Sequence, residues 1–191
     1  MSVYGDGLSA FGNAQTVEIP PDLSVTPYGG IRNTNDATAK NPLGTLYRYK
    51  GNLYRYVKFV KQTNSNAASE GVVVNWHTTQ FDPRAGKFSV TGDNTYVLGG
   101  LNTVAGVFTC AVTDGYYTWM QVGGRATAIV VTGTVHGDVL IGQANDDQEF
   151  NMIAADSEIT SVPFAVAFGA RNLLSNTAAY VLLFPHVLAS F

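Results

Sequence analysis

From Leu46 onward the chain repeats one texture: short runs of β-branched and aromatic residues, cut at close intervals by Gly, Asn and Asp. This is the pattern of antiparallel strands joined by tight turns. Leu46-Tyr47-Arg48-Tyr49, then Lys50-Gly51-Asn52, then Leu53 to Phe59, reads as a hairpin. Further strands are expected over 71–76, 87–90, 96–98, 106–112, 116–122, 126–131, 139–141, 163–168 and 178–184. Gly92-Asp93-Asn94, Asp114-Gly115, Gly123-Gly124 and His136-Gly137-Asp138 read as the turns between them. Helix signals are few: 147–155 could form two turns, and 165–174 is apolar but holds Gly169. About ten short strands in this length predict an all-β fold, a small antiparallel β-barrel or sandwich.

Residues 1–43 have a different texture, with Pro20-Pro21, Pro27, Pro42, Gly29-Gly30 and the polar run Asn33-Thr34-Asn35-Asp36. No helical or strand period is sustained there, so the segment reads as an extended N-terminal arm on a domain spanning 44–191. Phe11, Val17, Ile19, Leu23 and Tyr28 are isolated apolar anchors that a solvated tail would not need. They suit a segment laid along a partner surface.

The run 116–122 carries bulky groups on both alternating faces. Tyr117, Trp119 and Gln121 fall on one side, and Tyr116, Thr118, Met120 and Val122 on the other. Such a strand is expected to be central and packed on both sides, with Trp119 in the core.

Composition sharpens this picture. Hydrophobic residues make up 46% of the chain and charged ones only 13%, about half the usual share. A folded core is therefore affordable, and the surface is left to Thr, Asn, Ser, Gly and Tyr. A net charge of −3 argues against binding a bare phosphate backbone, so no nucleic-acid partner is expected. No stretch approaches a membrane span, and the first residues lack the basic and apolar regions of a signal peptide. The expected product is soluble and made in the cytoplasm, without a membrane partner. Cys110 is the one cysteine, which excludes an intrachain disulfide and points to a buried thiol within Val107–Val112.

Reactive constellations do not assemble from the sequence. His77, His136 and His186 are isolated, and His136-Gly137-Asp138 is better read as a turn than as a ligand pair. Asp146-Asp147-Gln148-Glu149 lacks the alternating oxygen ligands of a calcium loop. No nucleophile elbow or phosphate-binding glycine loop is present. Neither an enzyme nor a cofactor or metal requirement is expected. The tyrosines of the hairpin, interleaved with Arg48, Lys50, Arg55 and Lys58, read as aromatic cross-strand pairs with cationic flanks rather than as a base-stacking platform, with a sugar-binding face as the alternative.

Three segments resemble the capsid decoration (cement, head-stabilising) virion proteins of tailed bacteriophages. They are Tyr54-Arg55-Tyr56-Val57-Lys58 followed by Gly71-Val72-Val73, then Ala105-Gly106-Val107-Phe108, then Gly115 to Ala126 with the core Gly-Tyr-Tyr-Thr-Trp-Met-Gln-Val. The resemblance covers residues 46–142 and not the arm. It implies a virion structural protein on the outer capsid surface, binding the major capsid protein, bridging neighbouring capsomers and associating with itself as a homotrimer. The expected contacts are the arm anchors together with Arg48, Tyr54 and Arg55 of the hairpin. The alternative is a head-fibre or tail component, or a carbohydrate-binding receptor-recognition module.

Overall fold

The computed structural model describes residues 35–49, 51–61, 68–93, 104–142, 150–152, 165–167, 171–172 and 177–183. Within these residues the chain is almost entirely β, with eleven strands and one 3₁₀ turn at Pro83–Ala85. The strands are β1 (Leu46–Tyr49), β2 (Asn52–Phe59), β3 (Val73–Asp82), β4 (Lys87–Thr91), β5 (Val104–Phe108) and β6 (Tyr117–Ile129). They continue as β7 (Val139–Gly142), β8 (Phe150–Met152), β9 (Ala165–Ala167), β10 (Arg171–Asn172) and β11 (Thr177–Leu183).

Strands β2, β4, β3, β5 and β6 pair in that order, and β6 pairs back onto β2, closing a five-stranded barrel. An odd-numbered closed ring cannot be antiparallel throughout, because the strand direction would have to reverse an odd number of times on returning to its start. The exception is β2–β4, which is parallel through Lys58↔Ser89 and Phe59↔Val90. Val57, Phe59, Val74, Trp76, Val90, Phe108, Met120 and Val122 belong to the core the barrel encloses. Burying each such side chain stabilises the fold by about 1.5–3 kcal/mol.

The hairpin forms as expected, with Tyr47 opposite Tyr54 and Tyr49 opposite Asn52. Two expected strands, 116–122 and 126–131, are instead one long strand, β6. The Gly123-Gly124 pair read as a turn is a β-bulge. Leu53 opposes Gly123 while Tyr54 opposes Gln121, so Val122 is the extra residue. Gly124 has φ +87°, and a Cβ there would collide with the side chain of Asn52. Asn52 Oδ1 accepts the Arg125 N–H at 3.0 Å, and Gln121 Nε2 donates to the carbonyls of Gly123 (3.2 Å) and Arg125 (2.8 Å). Side chains thus take over backbone groups that the bulge removes from the ladder.

Beyond the bulge β6 leaves the barrel and enters a second sheet, in the order β6-β11-β9-β7-β8 with β10 on β11. This sheet curls back on itself, because Val130 forms a parallel bridge with Phe150 and the Val131 N–H donates to the Phe150 carbonyl at 2.9 Å. Residues 150–152, expected to be helical, are therefore strand, recruited by a partner far away in sequence. Ala126, Ala128, Val130, Leu140, Phe150, Ala165 and Ala167 fill this sheet together with Val73, Val104 and Val107 from the barrel strands. The second core is built partly on the barrel wall.

Candidate functional site

Alternation along β2 sends Val57 and Phe59 into the barrel and leaves Tyr54 and Tyr56 on its outer face. The register sets Tyr56 opposite Trp119, Lys58 opposite Tyr117 and Tyr47 opposite Tyr54. An aromatic layer results. The Trp119 ring lies 5.1 Å from Tyr56 and 5.9 Å from Tyr47, both tilted, and Tyr56 stacks on Tyr117 at 6.3 Å. Trp119 is 1% exposed, so β6 is packed on both faces as its sequence predicts.

Residues 35–43, the last part of the segment read as an arm, lie across this layer. Asp36 bridges Tyr117 through two backbone hydrogen bonds of 2.9 Å, and Leu43 packs against the aromatic cluster. Asp36 is buried, with the Tyr56 hydroxyl donating to its Oδ2 at 3.0 Å and Lys40 Nζ 2.7 Å from its Oδ1. The Lys40 N–H donates in turn to the Tyr56 oxygen at 3.2 Å. Desolvation chiefly, and then Asp36, push the Tyr56 phenol far above its ordinary pKa, so it remains a donor.

What reaches solvent is the rim of the layer. Tyr47, Tyr49 and Tyr117 are half-buried, Tyr47 and Tyr49 stack at 6.4 Å, and Lys58 Nζ sits 5.7 Å over the Tyr117 ring. Among the described residues, such a face offers aromatic surface with Lys58 and the Asp36-paired Lys40 as cations, suited to adhesion or to a sugar ring.

The expected contact residues separate. Tyr54 is fully buried, its hydroxyl accepting from Asn52 Nδ2 at 3.3 Å, so it supports the face from beneath. Arg48 is exposed on β1 but alternates to the side opposite Tyr47 and Tyr49. Arg55 turns toward the barrel core, over Trp76 and Phe88. The interleaved tyrosines and arginines of the sequence are thus divided between two faces, and Lys58 alone of these described cations stays with the tyrosines. Phe11, Val17, Ile19, Leu23 and Tyr28 lie outside the described residues.

Asp36, Lys40, Tyr117 and Trp119 were not among the expected contacts, although Trp119 and Tyr117 were visible as a two-faced strand. Elsewhere Cys110 is buried, and His136-Gly137-Asp138 is a turn in which Asp138 Oδ2 accepts the Val135 N–H at 2.7 Å. No family model, curated protein or solved structure matches this chain.

Proposed function

We propose that this chain is a non-enzymatic structural protein of a tailed-bacteriophage particle, a decoration protein that binds the outside of the capsid and bridges neighbouring capsomers. One observation supports the reading above the others. The segment 1–34 joins the fold at Asn35 and Asp36, on the same outer face that carries the half-exposed Tyr47, Tyr49 and Tyr117 with Lys58. Arm anchors and aromatic rim can then act as one adhesive surface, and repeated weak contacts on a lattice add through multivalency. The segments that resemble decoration proteins, Tyr54–Lys58 and Gly115–Ala126, form the paired strands that build this face. The major capsid protein is the proposed partner, with a homotrimer as the proposed bound form.

The stacked Tyr47–Tyr49 pair also favours a second reading, a sugar-binding module of a fibre or tail. The two separate in one experiment on the full chain, on Tyr47→Ala/Tyr49→Ala and on a form lacking residues 1–34. A decoration protein binds expanded capsids at least about tenfold more tightly than isolated capsid subunits, and loses at least about tenfold, or about 1.4 kcal/mol, without residues 1–34. Equal affinity for capsids and subunits, or glycan binding abolished by the double substitution with no capsid binding at all, would favour the second reading and sink the first.

A further inference from the structure

The five barrel strands close on themselves, but β1 lies outside the ring and pairs, among the described residues, with β2 alone. Which of its backbone groups are committed follows from one bond. The Tyr56 N–H donates to the Thr45 carbonyl at 2.9 Å, and hydrogen-bonded positions alternate along an antiparallel ladder. The N–H and carbonyl groups of Tyr47 and Tyr49 are therefore turned toward β2, opposite Tyr54 and Asn52, whereas those of Leu46 and Arg48 are turned away. Leu46 is 47% exposed, and Arg48 is exposed as well. Two donors and two acceptors thus lie along one open edge.

An open edge is a template for another extended chain, and register decides which chain fits it. A second β1 can be laid antiparallel beside the first about a twofold axis. With Tyr47 opposite Tyr47, Leu46 of each copy stands opposite Arg48 of the other, and both of these pairs are of the hydrogen-bonded kind. All four outward groups of each copy are then used, in four bonds. Sliding the strands by two residues sets Leu46 against Leu46 or Arg48 against Arg48, which leaves half of the groups unmatched and, in the second case, opposes like charges. Side chains favour the same register. On one face the stacked Tyr47 and Tyr49 continue into the tyrosines of the second copy, and on the other Leu46 lies beside the apolar stem of Arg48.

We propose that β1 is a self-association edge, on which a second copy of this chain pairs through its own β1, antiparallel and with Tyr47 opposite Tyr47. The twofold axis is perpendicular to the joined sheet, so the aromatic faces of both copies point the same way. The paired form presents the surface of Tyr47, Tyr49, Tyr117 and Lys58 twice, side by side. Four backbone bonds and a few side chains make a weak contact on the scale of stable interfaces, suited to copies already concentrated on a common surface. The contact is twofold and distinct from the threefold association proposed above, and it requires neither that association nor a capsid.

The test is sedimentation velocity of the full chain, in which the mass of the sedimenting species should double with a Kd below about 0.5 mM. Charge at position 46 should tune this in a direction that only the proposed register gives. Leu46→Glu sets a carboxylate opposite Arg48 at both pairs and should tighten association at least about threefold, and Leu46→Lys should weaken it by as much. Arg48→Pro removes an outward N–H and no β1–β2 bond, and should abolish it. In a Cys110→Ser background, Tyr47→Cys should form an intermolecular disulfide on mild oxidation and Arg48→Cys should not, because only the former residue faces its own copy. A mass that does not double by about 0.5 mM, association indifferent to Arg48→Pro or to the charge at position 46, or equal crosslinking at the two cysteine positions overturns the proposal. So does a full chain that stays single while a form lacking residues 1–34 doubles, which would assign the edge to the chain's own arm. Should Arg48→Pro fail to fold, the two Leu46 variants, at an exposed position, decide alone.

Discussion

Two single residues show how local conformation and burial set the stability of this fold. Gly124 occupies the left-handed region at φ +87° with the Asn52 side chain where its own Cβ would be. Gly124→Ala meets a backbone penalty of about 1–2 kcal/mol and the clash with Asn52 together, so a loss of about 2–4 kcal/mol is expected in urea unfolding. Gly51→Ala, also at positive φ but with nothing around its Cβ, should cost only the backbone part. His77 makes the corresponding case for charge. It is buried on β3, its Nδ1 accepts the Thr79 N–H at 3.3 Å, and desolvation chiefly lowers its pKa. The unfolded chain, with an ordinary histidine near about 6.5, therefore binds the proton more readily than the folded one. Stability is full above about pH 6.5 and is lost as pH falls from there toward the lower folded value. Between pH 6.5 and 5.5 this group removes at most about 1.4 kcal/mol, and His77→Gln should flatten that part of the urea-midpoint profile. A slope that survives the substitution would assign the effect to other groups.

At the scale of elements, what was legible in the sequence is what depends on near neighbours. The β1–β2 hairpin could be read because its turn and both strands are contiguous, and β3, β4, β7, β9 and β11 overlap the expected runs because each is a short β-prone stretch between breakers. The long β6 was not legible as one strand. Its Gly-Gly bulge is supported by Asn52, more than seventy residues away, and nothing local distinguishes such a bulge from a turn. The same holds for β8, whose partners are β7 and Val130. The candidate face was half legible: alternation in 116–122 pointed to Trp119 in a two-sided strand, but the sequence could not separate the tyrosines from Arg55 without the register. Nor could local texture mark residues 35–43 as a strap, since Asp36 acts through Tyr56 and Tyr117. That strap makes a concrete expectation. Deleting residues 1–34 should move the melting temperature by no more than a few degrees. Deleting 1–43 also removes the Asp36 hydrogen bonds and the Leu43 packing, and exposes Tyr56 and Trp119. With buried groups uncovered, a further loss of about 2–4 kcal/mol is expected, which for a chain of this size is roughly 5–15 °C in a thermal melt. Equal melting temperatures for the two truncations would show that the strap adds nothing to the fold.

For the molecule as a whole, the decisive feature is that β6 is common to the barrel and to the second sheet. Its first half pairs with β2 and β5, and its second half with β11. The two cores are also stitched at their boundary, because Val73, Val104 and Val107 on barrel strands pack with Ala126, Ala128 and Phe150. Gly71 adds a backbone tie, its carbonyl accepting the Ile129 N–H at 2.8 Å while its own N–H donates to Phe108. Unfolding the second sheet alone would expose one side of β3 and β5 to water, and unfolding the barrel alone would leave β6 without its first-half partners. Neither half can therefore open without destabilising the other, and a single cooperative transition is expected rather than two. Both tryptophans report on the barrel, Trp76 in its core and Trp119 on its outer face, whereas far-UV circular dichroism reports on all the strands. Urea curves from tryptophan fluorescence and from circular dichroism should then coincide. A charge placed in the second core, Ala128→Asp, should lower the fluorescence midpoint as much as the dichroism midpoint even though it touches neither tryptophan's cluster, because the loss is transmitted through β6. If the dichroism curve instead splits and the tryptophan signal stays at its wild-type midpoint, the second sheet is an independent unit and β6 is only a shared support.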